Sequence, residues 1–301
     1  MSSIEEKRQL VDMETLFTVV YLMVDDWVKQ HPRQGPGRKA SFSDSEVLTL
    51  VLMMDFIPYP SERQYLAFIR ANHLSLFPKL LDQSQFNIRA RGLRYSLEQL
   101  RNTWLKRLLP ELLECLLLDT KPVPVLSYKR NKQHSDFLGS ANYGVCVSRK
   151  LKYFGYKLVL LCSLQGDSVY YDLVPANTDE REAAEQVFQR CQHLDILADK
   201  GFISQTWQAE QTRQGIYVWT AKRDNQQQNL PAFDAMIASY RQRIEGVFNE
   251  LQNLGKNLER LFAKTVVGLC TRITALIASH TLKTFLRRFY HLDVQTFSWL
   301  P

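Results

Sequence analysis

The chain has 301 residues, 45% of them apolar, enough for a packed core in one large or two ordinary domains and too many for wholesale disorder. Lys and Arg number 38 against 31 Asp and Glu, a net charge of +7 that permits a polyanionic partner without requiring one. Five scattered cysteines (Cys115, Cys146, Cys162, Cys191, Cys270) form no CxxC pair, and neither a polar N-terminus (MSSIEEKRQL) nor any apolar run suggests a signal or a membrane span, so free thiols in a reducing cytoplasm are expected.

Residues 10–30 place Leu16, Val19, Val20, Met23, Val24 and Trp27 at helical spacing. A Pro/Gly break follows at 31–42. Ser43 and Glu46 then have the spacing of a capping box, in which each side chain satisfies the other's backbone N–H, at the head of SFSDSEVLTLVLMM. After another break at 57–64, residues 62–82 and 84–109 read as amphipathic helices, so residues 1–110 are expected to be all helical. The second of these segments carries Arg89, Arg91, Arg94, Arg101, Lys106 and Arg107, with Glu98 as the only acid from 86 to 107. It is either a solvated face or a helix laid along phosphates in a domain like a helix-turn-helix reader.

The pattern changes after Pro110. LLECLLLDTKPVPV (112–125) is a strongly apolar run with Asp119 at its end. A solvated strand end and a metal-binding aspartate both fit it. The basic stretch 127–144 reads as a loop, and 150–176 as two strands around QGD, a hairpin. TDEREAAEQVFQRC (178–191) is a helix whose first-turn acids suit its N-terminal dipole. HLDILADKGF (193–202) is a short strand ending at Asp199 and Gly201. Then come a helix (204–214), a strand (216–223), a polar loop (224–231) and broken helix from Ala232 to about Arg288. This order predicts an α/β domain with a mixed sheet.

Ligands gather outside the carboxyl ends of strands in an open α/β sheet. Asp119 and Asp199 stand at two such ends, and Glu245 lies beside the apolar stripe of the last helical region. Asp195 shares strand parity with Asp199 but sits at the strand's beginning. Three carboxylates from two strands and a helix suit hard divalent cations, and a pair of such ions can clamp both oxygens of a phosphodiester displacement. Lys129, Arg130 and Lys132, with Arg149, Lys150, Lys152 and Lys157, form a candidate DNA track. Lys222 and Arg223 end a strand near the same edge, where phosphate contact and plain exposure are both open. Trp207 and Trp219 are expected in the core, and His134 and His193 in surface or structural roles.

LLLDTKPVPV, ANYGV with Cys146 next, KLKYFGYKLVLL, VPANTDERE, ILADKGFIS and RQRIEGVFNEL, in that order, resemble the DDE transposases of bacterial insertion sequences, most closely the insertion-sequence 982 family. VDDWVK (24–29), SDSEVLTL (43–50) and GLCTRITALIASHTL (268–282) are similar to that family's terminal parts, so the resemblance spans nearly the whole chain. It implies a ribonuclease-H-like catalytic domain (111–301, with C-terminal helices) behind a helical DNA-binding domain (1–110). It also implies a metal-binding catalytic triad of Asp119, Asp199 and Glu245, loaded with two Mg2+ ions or Mn2+. The implied reaction is cleavage at the ends of a mobile element, then attack of the freed 3′-hydroxyl on target DNA. Partners are double-stranded DNA and, for synapsis of two ends, a second copy of the chain. Arg241, one turn before Glu245, is carried over as a DNA contact with Arg89, Arg91, Arg94, Lys129, Arg130, Lys222 and Arg223. The tyrosine and lysine of the family's longer helix signature are not, because Tyr240 is offset and Gln252 stands in the lysine's place. A metal-dependent nuclease without strand transfer and a DNA-binding protein without chemistry remain the alternatives.

Overall fold

A computed structural model describes residues 9–10, 12–32, 40–59, 61–109, 113–146, 149–221, 231–253 and 258–294. In chain order these give β1 (Gln9–Leu10), α1 (Met13–Gln30), α2 (Asp44–Met53), α3 (Glu62–Asn72), α4 (Gln83–Gly92) and α5 (Arg94–Leu108). Then come β2 (Cys115–Leu126), β3 (Asn142–Cys146), β4 (Leu151–Ser163), β5 (Ser168–Pro175), α6 (Glu180–Phe188) and β6 (Leu194–Ala198). A 3-10 turn (Lys200–Phe202) leads to α7 (Gln205–Arg213), β7 (Ile216–Thr220), α8 (Pro231–Asn253), α9 (Val266–Tyr290) and β8 (Leu292–Asp293).

These elements gather into two compact units, one of residues 1–106, 253–257 and 267–301, the other of 107–252 and 258–266. The first thus takes in the C-terminal helix, whereas the sequence reading divides the chain at 110 and leaves that helix with the later part.

Local chemistry explains the helices of the first unit. Asp12 caps α1 by accepting from the Thr15 N–H (2.9 Å), and Leu16, Phe17, Val20, Val24 and Trp27 bury its apolar stripe. The Ser43–Glu46 capping box forms as expected: Ser43 N–H donates to Glu46 Oε2 (2.6 Å), and Glu46 N–H to Ser43 Oγ (3.1 Å). The segment 266–282, the nearest in the sequence to a membrane span, lies in α9, which is buried along most of its length. Ser279 Oγ donates to the Leu52 carbonyl (2.8 Å), and Lys283 Nζ to that of Asp55 (2.7 Å). The segment is a core helix, and no helix among the described residues is long and apolar enough to cross a membrane.

Three expectations for this region change. The 62–82 helix stops at Asn72, and that of 84–109 breaks at Leu93, next to the flexible Gly92. The N-terminal part is also not purely helical, because β1 pairs in parallel with β8.

The second unit is built on a six-stranded mixed sheet, ordered β3-β4-β2-β6-β7, with β5 also paired to β4. Strand β4 is long enough to take β3 along Leu151–Gly155 and β5 along Tyr156–Cys162, with β2 on its other side. Only the β2–β6 and β6–β7 pairings in this sheet are parallel. The predicted hairpin joins β4 to β5, turning at Gly166 (φ +93°). Strand β3 falls in the stretch read as loop. Helices α6 and α7 cover one face through Ala183, Ala184, Val187, Phe188 and Trp207, packed on Leu116, Leu118, Val159, Leu161, Ile196 and Ala198. Helix α8 buries Ile237, Ile244, Val247, Phe248 and Leu251.

Candidate active site

Leu118 and Ala198 are the last paired residues of the parallel strands β2 and β6. Asp119 and Asp199 follow them directly, so the two carboxylates leave adjacent strands side by side. Strand β2 runs on, held in register by β4 (Asp119 opposite Leu160), which fixes the backbone under Asp119. Asp199 instead leaves the sheet and caps the 3-10 turn, accepting from the Lys200 N–H.

Helix α8 supplies the other half. Arg241 and Glu245 stand one turn apart. Arg241 Nη1 lies 3.2 Å from Asp199 Oδ1, and its Nη2 lies 3.6 Å from Glu245 Oε1. The guanidinium therefore bridges a strand acid and a helix acid. Arg241 was expected to contact DNA; in this structure its partners are two of the three predicted catalytic carboxylates.

These residues line one cleft of about 450 Å³, together with Lys121, Arg149, Lys157 and Glu180. Lys157 Nζ donates to the Thr178 carbonyl (2.6 Å), and Arg149 pairs with Glu259. Burial pushes the Asp119 carboxyl up to about 7. The Thr120 N–H, donating to Oδ1 (2.7 Å), opposes this, Asp199 adds to it, Arg241 opposes and Glu180 adds.

Glu180 was missed from sequence. It opens α6, and Thr120 Oγ1 donates to its Oε1 at 3.4 Å. Gly201 makes room for it: a Cβ there would collide with the Glu180 carboxylate. In VPANTDERE this acid looked like a helix-dipole residue beside Asp179, which is indeed the N-cap. The available signal was that the helix starts where β5 ends, on the edge that carries Asp119.

The remaining expectations divide. Asp195 accepts from Trp219 Nε1 (2.7 Å). Trp207 is in the core, its Nε1 donating to Glu185 (2.7 Å), but Trp219 is 44% exposed and corrects the expectation of burial. Lys132 is buried, donating to the Ser127 and Tyr128 carbonyls, so it leaves the DNA track, while Lys129 and Arg130 are exposed. Arg89 is tied to the Phe42 carbonyl (3.0 Å) and to Asp44, and the buried Arg101 is tied to Glu98. Arg91 is half-buried and Arg94 exposed. Lys222 and Arg223 lie outside the described residues.

No group of three or more His, Cys, Asp or Glu among the described residues is assembled as a metal cage. The donor chemistry nonetheless fits a hard divalent cation. Asp119 and Asp199 are adjacent oxygen donors, and the charged form of Asp119 is disfavoured by burial and by two neighbouring acids. Arg241 supplies positive charge between Asp199 and Glu245.

A mixed sheet presenting two adjacent aspartates where a parallel strand pairing stops, faced by a helix glutamate, defines a carboxylate site open to a hard cation. Residues 112–260, just under half of the chain, match the family model described as "Transposase DDE domain" and include Asp119, Asp199 and Glu245. This match supports a DDE transposase. No curated protein matches the chain. Among solved structures, the Mos1 strand transfer complex is 14% identical, with 82% of this chain and 81% of that one covered at a TM-score of 0.22. The Mos1 mariner paired end complex with Mn is 13% identical, with 80% and 95% covered at the same TM-score.

Proposed function

We propose that the chain is an insertion-sequence transposase of the insertion-sequence 982 type, with Asp119, Asp199 and Glu245 as its metal-binding catalytic acids on a ribonuclease-H-like core. The observation that carries this reading is the adjacency of Asp119 and Asp199 where the parallel pairing of β2 and β6 stops, with Glu245 and Arg241 facing them across one cleft. Mg2+, or Mn2+ in its place, bound by these carboxylates would supply Lewis acidity and a water acidic enough to attack a phosphodiester near neutral pH.

The chain's own residues do the rest. Asp119, fixed by β4 on one side and by the Thr120 N–H on the other, presents oxygen without having to reorganise. Arg241 balances Asp199 and Glu245 before the site is loaded. It then turns its planar fork to the scissile phosphate, which it can grip in bidentate fashion at any working pH. Lys121 and Lys157, which line the same cleft, carry the flanking phosphates. Arg91, Arg94, Lys129 and Arg130 extend the DNA contact, with residues 1–110 holding the element's end and residues 111–301 cutting it. Two ends held together call for a homodimer on bacterial DNA in the cytoplasm.

The test is a supercoiled plasmid carrying candidate element ends, incubated with the protein and Mg2+. Joined products are expected. Nicks alone reduce the activity to that of a nuclease, and intact plasmid that is bound but uncut leaves a DNA-binding protein.

A further inference from the structure

A second cavity, about 620 Å³, opens at the C-terminal end of β2. Val125 and Leu126 form part of its wall, and Arg130, His134, Phe262 and Lys264 line it. Strand β2 rises about 3.3 Å per residue, so the six steps from Asp119 to Val125 span roughly 20 Å.

Three features make this cavity more than a surface dent. Phe262 is 58% exposed and stands at φ +52°, a left-handed conformation that is costly for a bulky side chain. Arg130 and Lys264 bring positive charge to the same walls. The acid among the lining residues, Asp136, is engaged: its Oδ2 accepts from the Val266 N–H at 2.7 Å. An exposed ring beside two cations matches a flat base joined to phosphates. An acidic peptide would match the cations and leave the ring without a counterpart.

We propose that this cavity seats one unstacked nucleotide of a single DNA strand, its base on Phe262 and its phosphates on Arg130 and Lys264, roughly 20 Å along β2 from the bond cut at Asp119. The inference rests on the reading of the chain as a DNA-cutting enzyme. It adds a site outside the carboxylate cleft, and it assigns a stacking role to a residue that sequence reasoning passed over.

The probe is a thymidine oligonucleotide carrying a single 2-aminopurine, whose fluorescence falls on stacking against an aromatic ring. The full-length protein is expected to quench it. Phe262→Gly should abolish the quenching and weaken binding roughly tenfold, the scale of one base–aromatic stack. Glycine suits the left-handed backbone, so the same variant should melt no lower than wild type, which separates lost stacking from lost folding. Phe262→Trp should restore the quenching. An oligonucleotide with an abasic position in place of the 2-aminopurine should bind wild type and Phe262→Gly alike. Replacing Arg130 and Lys264 together by Ala should lower the slope of log affinity against log salt by about 1.4, two single-strand phosphate contacts. If the oligonucleotide binds wild type but quenching and affinity survive in Phe262→Gly, this inference is overturned and the proposed function stands. If wild type binds no DNA at all, both fall.

Discussion

Burial decides where the proton sits on Asp119. Its carboxyl is raised from an ordinary 3.8 to about 7, so the folded chain holds a proton that the unfolded chain has already released. The stability this group contributes is complete below pH 3.8 and is lost as the pH rises through about 7. Asp119→Asn escapes that loss. At pH 8 in chelator the variant should melt above wild type, with the gap closing toward pH 4, and Mg2+ should raise the wild-type melting temperature more than the variant's. A variant that melts lower at pH 8 would contradict this account of the site. Arg241 makes the complementary case. Its ion pairs with Asp199 and Glu245 compete with any cation these acids would take. Arg241→Ala should therefore tighten Mn2+ binding, by about three- to tenfold once solvent screening of half-exposed groups is allowed for. Calorimetric titration reads this directly, and weaker binding would show that the guanidinium supports the metal site. Asp119 and Asp199 stood out in the sequence because each is a charge directly after an apolar run, but the strand end expected at Asp119 is corrected: β2 runs on to Leu126, and only its pairing with β6 stops there. Glu180 did not stand out, because an acid in the first turn of a helix already has a sufficient local reason to be there.

The elements that hold the acids depend on one close backbone approach. Gly155 of β4 lies opposite Pro124, where the β2–β4 register shifts, and a Cβ on it would run into the Val123 carbonyl. The obstacle is backbone, so it cannot turn aside as a side chain would. Gly155→Ala should cost about 1–3 kcal/mol of stability, the usual price of overpacking, read as a lower urea midpoint. An unchanged midpoint would mean the two strands are not held this closely. Element types were legible where one period dominated, as in the buried stripe of α8 or the hairpin around Gly166. They were not where polar edge strands mimic loops. Strand β3 leaves Tyr143 and Val145 exposed within a basic stretch, so its alternation is masked by composition. Trp219 misled in the same way: an edge-strand indole that is satisfied by Asp195 has no need of burial.

At the scale of the whole molecule, a moderately basic chain divides into a mostly helical unit and a sheet unit, and the question is which cations meet DNA. In the basic segment of the helical unit Arg89 and Arg101 are engaged by neighbouring acids, whereas Arg91, Arg94 and Lys106 are half-exposed or exposed, with Arg91 and Arg94 the pair proposed to meet DNA. Reversing both to Glu should weaken binding to element ends and lower the slope of log affinity against log salt by about 2, at about 0.9 per phosphate on a duplex. An unchanged slope would move the DNA-binding surface elsewhere. The α/β class and the mixed sheet were readable from element order alone. The place of α9 was not, because periodicity reports that a helix is buried but not which neighbours bury it. On the proposed function, the carboxylates of Asp119 and Asp199, set where the β2–β6 pairing stops, would hold the metal that cuts DNA. Single-turnover cleavage of end-containing DNA by Asp119→Asn, with a gel shift on the same preparation, tests it most directly. Full DNA binding with no detectable cleavage in Mg2+ or Mn2+ is expected. Cleavage at the wild-type rate by this variant would contradict it.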